Sequence, residues 1–180
     1  GTTKEVSNPN TLDSKNTVIR TAAMDCYILP CEYMGFSTTS IASSDTFAAL
    51  QTGVVEGLAG STPAGAYLNY RDIIDYYYVY QMSPEVTQIM ISEKTLAKLS
   101  PEDQKTIVDI CRQECANSVN YAKEEDEKYL KLMEDNGIKI VRFSDEEIEM
   151  FAEAVRTDVW PKLAKTYGED FINELLKLYK

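Results

Sequence analysis

The spacing of apolar residues changes character along the chain. Over residues 1–90 apolar positions come in short bursts. "TTKEVSN" alternates and predicts a short strand. "PNTLDSKN" is turn-rich punctuation. "TVIRTA" is short and β-branched, a buried strand with Arg20 at its end. "MDCYILPCEYMG" predicts a helix closed by Gly35, with Pro30 placed awkwardly inside it. "STTSIA" predicts a second strand. Ser43 or Ser44 then caps a helix whose first turn carries Asp45, a sign that suits the helix dipole. Phe47, Leu50 and the alanines form its apolar face, and Gly53 stops it. "VVEGLA" is the next strand. This alternation of strand and helix predicts a small parallel or mixed α/β sheet.

Beyond Pro63 the period lengthens. Tyr67, Tyr70, Ile73 and Ile74 fit a helix, after which "YYYVYQM" turns to strand. "VTQIMISE" predicts another strand after a Ser83-Pro84 turn. One long helix follows, with Ser100 as its N-cap, Pro101 in its first turn and Gly137 at its end. Ile107, Ile110, Cys111, Val119, Ala122, Tyr129 and Met133 supply its apolar stripe. "IKIVRF" is a strand. Ser144 to Glu147 is a capping box that opens a helix, Pro161 is expected to kink or break it, and "EDFINELLKLYK" forms a last helix. There is no internal repeat and no low-complexity linker.

Composition narrows the function. With 44% hydrophobic residues, the 180 residues can bury one core or two small lobes that share elements. The balance of 18 basic against 29 acidic side chains gives a net charge of −11, which argues against nucleic acid and anionic membranes as partners. No apolar run is long enough to span a bilayer. No signal peptide precedes "GTTKEVSN", an opening that reads as the interior of a longer protein. The absence of histidine removes the commonest general base and most zinc sites. No catalytic residue, metal site or cofactor is therefore expected. A lysine-assisted serine hydrolase is the enzyme reading, and no motif supports it. Cys111 and Cys115, four apart on a helix, are poorly placed for a disulfide. Cys26 and Cys31 are either bridged or free.

Residues 1–90 hold only four cations, Lys4, Lys15, Arg20 and Arg71. Arg20 ends a buried strand, where its planar fork suits a carboxylate. That carboxylate belongs either to a ligand or to Asp13, Asp25 or Glu56. Gly60, Ser61 and Thr62 follow the "VVEGLA" strand and offer room and hydroxyls to a ligand, or form a plain turn. The tyrosines at 67, 70, 76–78 and 80, within the 76–80 run, wall a pocket or fill the core. Asp72 and Asp75, and the run "KEEDEKYLK", read as solvated helix faces.

"TFAALQTGVVEG" closely resembles the signature of the DctP-type solute receptors of tripartite ATP-independent periplasmic (TRAP) transporters, with Glu56 in place of the usual aspartate. "GTTKEVSNP…TVIRTAA" is similar to the family segment ending in a "K-I-R-V-P" strand. "MISEKTLAKLSPEDQKTIVDI" and "DNGIKIVRFSDEEIEMF" look like its later strands and helices. The resemblance implies a periplasmic binding protein-like α/β lobe with a mixed sheet and long C-terminal helices, the N-terminal lobe being largely missing. Residues 1–90 would be the second lobe. Residues 91–180 would be a crossover strand, the long helix and closing helices.

The resemblance also implies a role. The chain would capture a small organic acid in an extracytoplasmic space, periplasmic or lipoprotein-anchored, and deliver it to membrane permease subunits. Arg20 matches the arginine that grips the ligand carboxylate. Gly60, Ser61, Thr62 and Tyr67 would line the pocket, with Ser43 where members often carry an aromatic. The run "EGLAGSTP" departs from the "D-G-Q-E-N-P" of some members, and Thr3 stands where some carry a second arginine. The competing expectation is a truncated fragment without a ligand, acting as an oligomerising helical interaction domain and forming a homo-oligomer through its exposed cleft face.

Overall fold

The computed structural model describes residues 1–83, 86 and 88–179. Strand β1 (Val18–Thr21) lies between β2 (Ser37–Ser40) and β3 (Gly57–Leu58), all parallel, with Arg20 opposite Thr39 on one side and Leu58 on the other. A second parallel pair joins β4 (Tyr76–Tyr78) to β5 (Lys139–Val141). Residues 1–3 weld the two pieces together. Thr2 bridges Gly57 and Tyr76 antiparallel, Leu58 N–H donates to the Gly1 carbonyl at 2.8 Å, and Thr2 N–H donates to Tyr76 at 2.9 Å. The sheet is therefore mixed. The expected strand "TTKEVSN" shrinks to these first residues, because past Thr3 the chain turns away and Val6 N–H goes to the Tyr78 hydroxyl at 2.8 Å.

Helix α1 (Asp25–Tyr33) accommodates Pro30 and ends before Gly35, whose φ of +91° no side chain adopts comfortably. A Cβ there would also lie 2.2 Å from the Asp13 carbonyl. Residues Ser43–Asp45 form a 3-10 turn and α2 (Thr46–Gln51) starts after it. Neither Ser43 nor Ser44 caps α2 with its side chain, contrary to expectation, because the intervening turn places them before the helix start. The strand predicted over "VVEGLA" contracts to two residues, and that over "YYYVYQM" to three. Helix α3 (Pro63–Tyr70) is capped by Thr62.

The segment "VTQIMISE" was expected to be a strand. Its described residues, 86 and 88–93, make no strand pairing, and Val86, Ile89, Met90 and Ile91 are exposed. The Ser83-Pro84 turn and Thr87 fall partly outside the described residues. After α4 (Glu93–Leu96), helix α5 (Pro101–Asp135) starts at the Ser100 cap and stops before Gly137, as expected. The capping box is complete at α6 (Asp145–Asp158), with Ser144 Oγ and the Glu147 carboxylate each accepting the other's backbone N–H, at 3.2 and 2.9 Å. Pro161 begins a separate helix, α7 (Trp160–Tyr167), and α8 (Glu169–Lys177) follows.

One core cluster joins Ala49, Leu50, Val55, Leu58, Ala66, Ile74 and Tyr77 to Leu130, Met133 and Ile138 from the end of α5 and the approach to β5. Each large apolar side chain buried here stabilises the fold by roughly 1.5–3 kcal/mol. A second cluster packs Val159, Leu163 and Ile172 with Leu29 and Tyr33 of α1. Tyrosines 76, 78 and 80 stack along one edge and continue into Phe143, 4.4 Å from Tyr80 between ring centres. The Tyr80 hydroxyl donates to the Pro9 carbonyl at 2.6 Å, and burial raises its pKa. These rings are core and loop anchors. All four cysteines are free, with Cys31 buried and Cys26 exposed, so there is no Cys26–Cys31 bridge.

Candidate functional site

Parallel strands gather their carboxyl ends on one edge, and the loops after β1, β2 and β3 meet there. Arg20 is half-buried on this edge. Its carbonyl accepts from Ala59 N–H at 2.9 Å, which ties β1 to the loop after β3. Its Nε donates to the Ile41 carbonyl at 2.8 Å, which fixes the guanidinium plane across the end of β2. The terminal nitrogens have no partner among the described residues.

The three carboxylates expected to compete for Arg20 are engaged elsewhere or stand apart. Glu56 pairs with Lys4 at 2.9 Å and accepts from Val18 N–H at 3.3 Å, and these two contacts hold its carboxyl below the usual carboxylate range. Asp25 accepts from Thr166 at 2.7 Å. Asp13 accepts from the Thr11 hydroxyl at 3.1 Å. A half-buried guanidinium without a counter-ion is costly unless something neutralises it.

Gly60 follows β3 with φ +79°, and a Cβ there would meet the Tyr27 ring at 3.1 Å. The glycine thus permits both the turn and the ring's approach. Tyr27, from α1, was not singled out from sequence. Its only signal was an aromatic one turn into the helix after Arg20, with nothing to say which loop it would cover. Its hydroxyl has no partner among the described residues.

The Ser61 hydroxyl donates to the Thr62 carbonyl at 3.4 Å, and its own carbonyl accepts from Tyr77 at 2.9 Å. Thr62 Oγ1 accepts from Gly65 N–H at 3.1 Å as the cap of α3. Thr62 therefore serves the helix first. Ser43 is exposed in the turn after β2, its hydroxyl unengaged among the described residues. Arg20, Ser43, Gly60, Ser61 and Thr62 thus share the edge. Tyr67 sits a turn further into α3. Its ring packs on Tyr129 of α5 at 5.9 Å, with the Arg71 guanidinium 5.1 Å from its centre. Thr21, the last residue of β1, is fully buried and its hydroxyl has no partner among the described residues. No group of three or more histidine, cysteine, aspartate or glutamate side chains suited to a metal exists among the described residues.

The edge is open. Two depressions elsewhere, about 410 Å³ over α8 and about 620 Å³ over α6, are lined mainly by charged residues of single helices and include none of these groups. The edge brings together a fixed cation, small residues and neutral hydroxyls, with no nucleophile–base pair there among the described residues.

The profile of DctP, the bacterial extracellular solute-binding proteins of family 7, matches residues 1–166. The chain belongs to this family. DctP proteins bind solutes for transport and are not enzymes. Solved structures agree on the fold. A TRAP periplasmic solute binding protein from Escherichia fergusonii, in an apo open form, is 22% identical, with a TM-score of 0.73 over 96% of this chain and 56% of its own. One from Pseudomonas putida F1 with bound D-glucuronate is 20% identical, with a TM-score of 0.70 over 96% of this chain and 54% of its own. One from Shewanella oneidensis with bound succinate is 18% identical, with a TM-score of 0.73 over 99% and 58%. The chain thus spans little more than half the length of these DctP relatives. No curated protein matches it. No helix among the described residues is long and apolar enough to cross a membrane.

Proposed function

We propose that this DctP chain supplies the ligand-gripping lobe of an extracytoplasmic receptor for a small organic acid. The observation that carries the reading is Arg20, held by Ile41 at the carboxyl edge of the sheet with no carboxylate among the described residues to neutralise it. A ligand carboxylate is the natural counter-ion, since a guanidinium binds one through two parallel hydrogen bonds. The relatives with bound D-glucuronate and succinate support an acid as the solute class. Gly60, Ser61, Thr62 and Ser43 would line the contact, with Tyr67 at its margin. Hinge closure against a second lobe and delivery to membrane permease subunits follow from this reading, as does a periplasmic or lipoprotein-anchored location.

In the same reading residues 1–90 form the second lobe, while residues 91–180 carry the crossover, the long helix and the closing helices. The exposed Val86, Ile89, Met90 and Ile91, together with Ile110 and Val119 of α5, fit a surface that meets the other lobe. Those same residues favour the competing reading of an oligomerising helical domain. The two separate by mass: assembly that grows with concentration and ignores organic acids supports the oligomer.

The test is Arg20→Ala, assayed calorimetrically against a panel of organic acids. Affinity is expected to fall about 100-fold or more, since two charge-assisted hydrogen bonds are lost, with the circular dichroism unchanged. Equal affinity in the variant contradicts the assignment.

A further inference from the structure

The contact that aims Arg20 has a support behind it. The guanidinium Nε donates to the Ile41 carbonyl at 2.8 Å. Ile41 lies just past β2, where the ladder to β1 has ended and its own N–H reaches the Thr21 carbonyl at 3.4 Å, a long bond. The neighbouring peptide is held more firmly. The Ala42 carbonyl accepts twice, from Asp45 N–H at 3.0 Å and from the Thr46 hydroxyl at 3.2 Å. The first bond closes the 3-10 turn. The second comes from a side chain at 0% exposure that opens α2.

Packing alone does not call for a threonine here. Valine has nearly the same branched shape, and a buried hydroxyl costs free energy to dehydrate. The hydrogen bond returns only a small net gain in stability. What it adds is direction. Burial locks the Thr46 rotamer, the Ala42 carbonyl then has one orientation, and the Ile41–Ala42 link is set with it. Ile41 itself packs against the main core cluster, which completes a run of contacts from α2 to the guanidinium. A guanidinium grips a carboxylate through two parallel N–H vectors, so a small rotation at its anchor weakens both bonds.

We propose that Thr46 is a positioning residue for the acid-binding edge, its buried hydroxyl holding, through Ala42, the turn whose Ile41 carbonyl aims Arg20. Its effect on binding presupposes that Arg20 grips the acid.

The experiment compares the 180-residue chain with its Thr46→Val and Thr46→Ser variants, first without acid. NMR follows solvent exchange of the Arg20 Nε–H. The reference is the Arg156 Nε–H, which donates to the Ala152 carbonyl of α6 at 3.2 Å. Thr46→Val is expected to speed Arg20 exchange about tenfold and to leave Arg156 within about twofold of the parent chain. Thr46→Ser keeps the hydroxyl and should keep the slow exchange. Succinate and D-glucuronate are then titrated in. Thr46→Val should weaken whichever acid the parent chain binds about fivefold, and Thr46→Ser by less than about twofold. Unchanged Arg20 exchange in Thr46→Val overturns the proposal. So does an equal acceleration at Arg156, which makes the effect one of overall stability, and so does faster Arg20 exchange with unchanged affinity. If the parent chain answers neither acid, the Arg20 reading fails and the binding role of Thr46 with it, while the acid-free exchange still decides whether Thr46 holds the guanidinium.

Discussion

Two stretches of this chain have similar apolar content and opposite fates. In the last turns of α5, Met133 and Leu130 are 0% and 2% exposed and lock the helix onto the sheet. In the segment before α4 and the first two-thirds of α5, Met90 is 83% exposed and Val119 76%. The stripe over Ile107, Cys111, Val119 and Ala122 continues into Tyr129 and Met133 on one helix, yet only its C-terminal end finds a sheet to cover. Periodicity declares which face of a helix wants burial; it does not say whether a partner is within reach. The fold is well defined where β3, β4 and residues 1–3 converge. Along α5 it rests on helix propensity, the Ser100 cap and exposed ion pairs such as Lys128–Glu125.

The sharpest way to break this comparison is a pair of truncations on the same helix. Met133→Ala opens a cavity in the main core and is expected to cost about 2–5 kcal/mol. Val119→Ala removes an exposed side chain and should change stability by less than about 0.5 kcal/mol. Urea denaturation of both variants checks this, and equal costs would mean that residue 119 is buried in solution.

Thiol chemistry gives a second contrast. Burial pushes the Cys31 thiol up to about 12, whereas Cys26 and Cys115 are exposed. A disulfide reagent at pH 8 should label Cys26 and Cys115 quickly and Cys31 only on unfolding. Slow labelling of Cys115 would indicate a covered α5.

A smaller effect sharpens the account of Glu56. Its carboxyl is held below the usual range by the Lys4 hydrogen bond first and by the Val18 N–H second. A depressed folded pKa stabilises the fold above the unfolded value of about 4.5, and that contribution disappears as pH falls through the folded pKa. Glu56→Gln should therefore lower stability near neutral pH and flatten its acid dependence as pH falls below about 4.5. Thermal melts across that range check the slope.

The sequence was most readable where the deciding chemistry is local. Ser100, Gly137, the Ser144–Glu147 box and Pro161 each act within one turn of the chain, and each sets a boundary as expected. Strand extents were not readable, since a strand ends where its partner ends. "VVEGLA" keeps two paired residues, and the "VTQIMISE" stretch has no ladder among its described residues. Arg20 stood out because a guanidinium in an apolar strand is conspicuous anywhere. Tyr27 did not, because its place over Gly60 joins α1 to the loop after β3 and no spacing encodes that contact. Thr62 was legible as a loop hydroxyl, but its service as the α3 cap appears only once Gly65 is in place.

The most direct measurement is the NMR signal of the Arg20 side-chain Nε–H during titration with D-glucuronate. A saturable shift at Arg20, absent at Arg112 and Arg142, is the predicted result. A stationary Arg20 signal while the acid binds elsewhere, or does not bind, contradicts the claim that this guanidinium grips the solute.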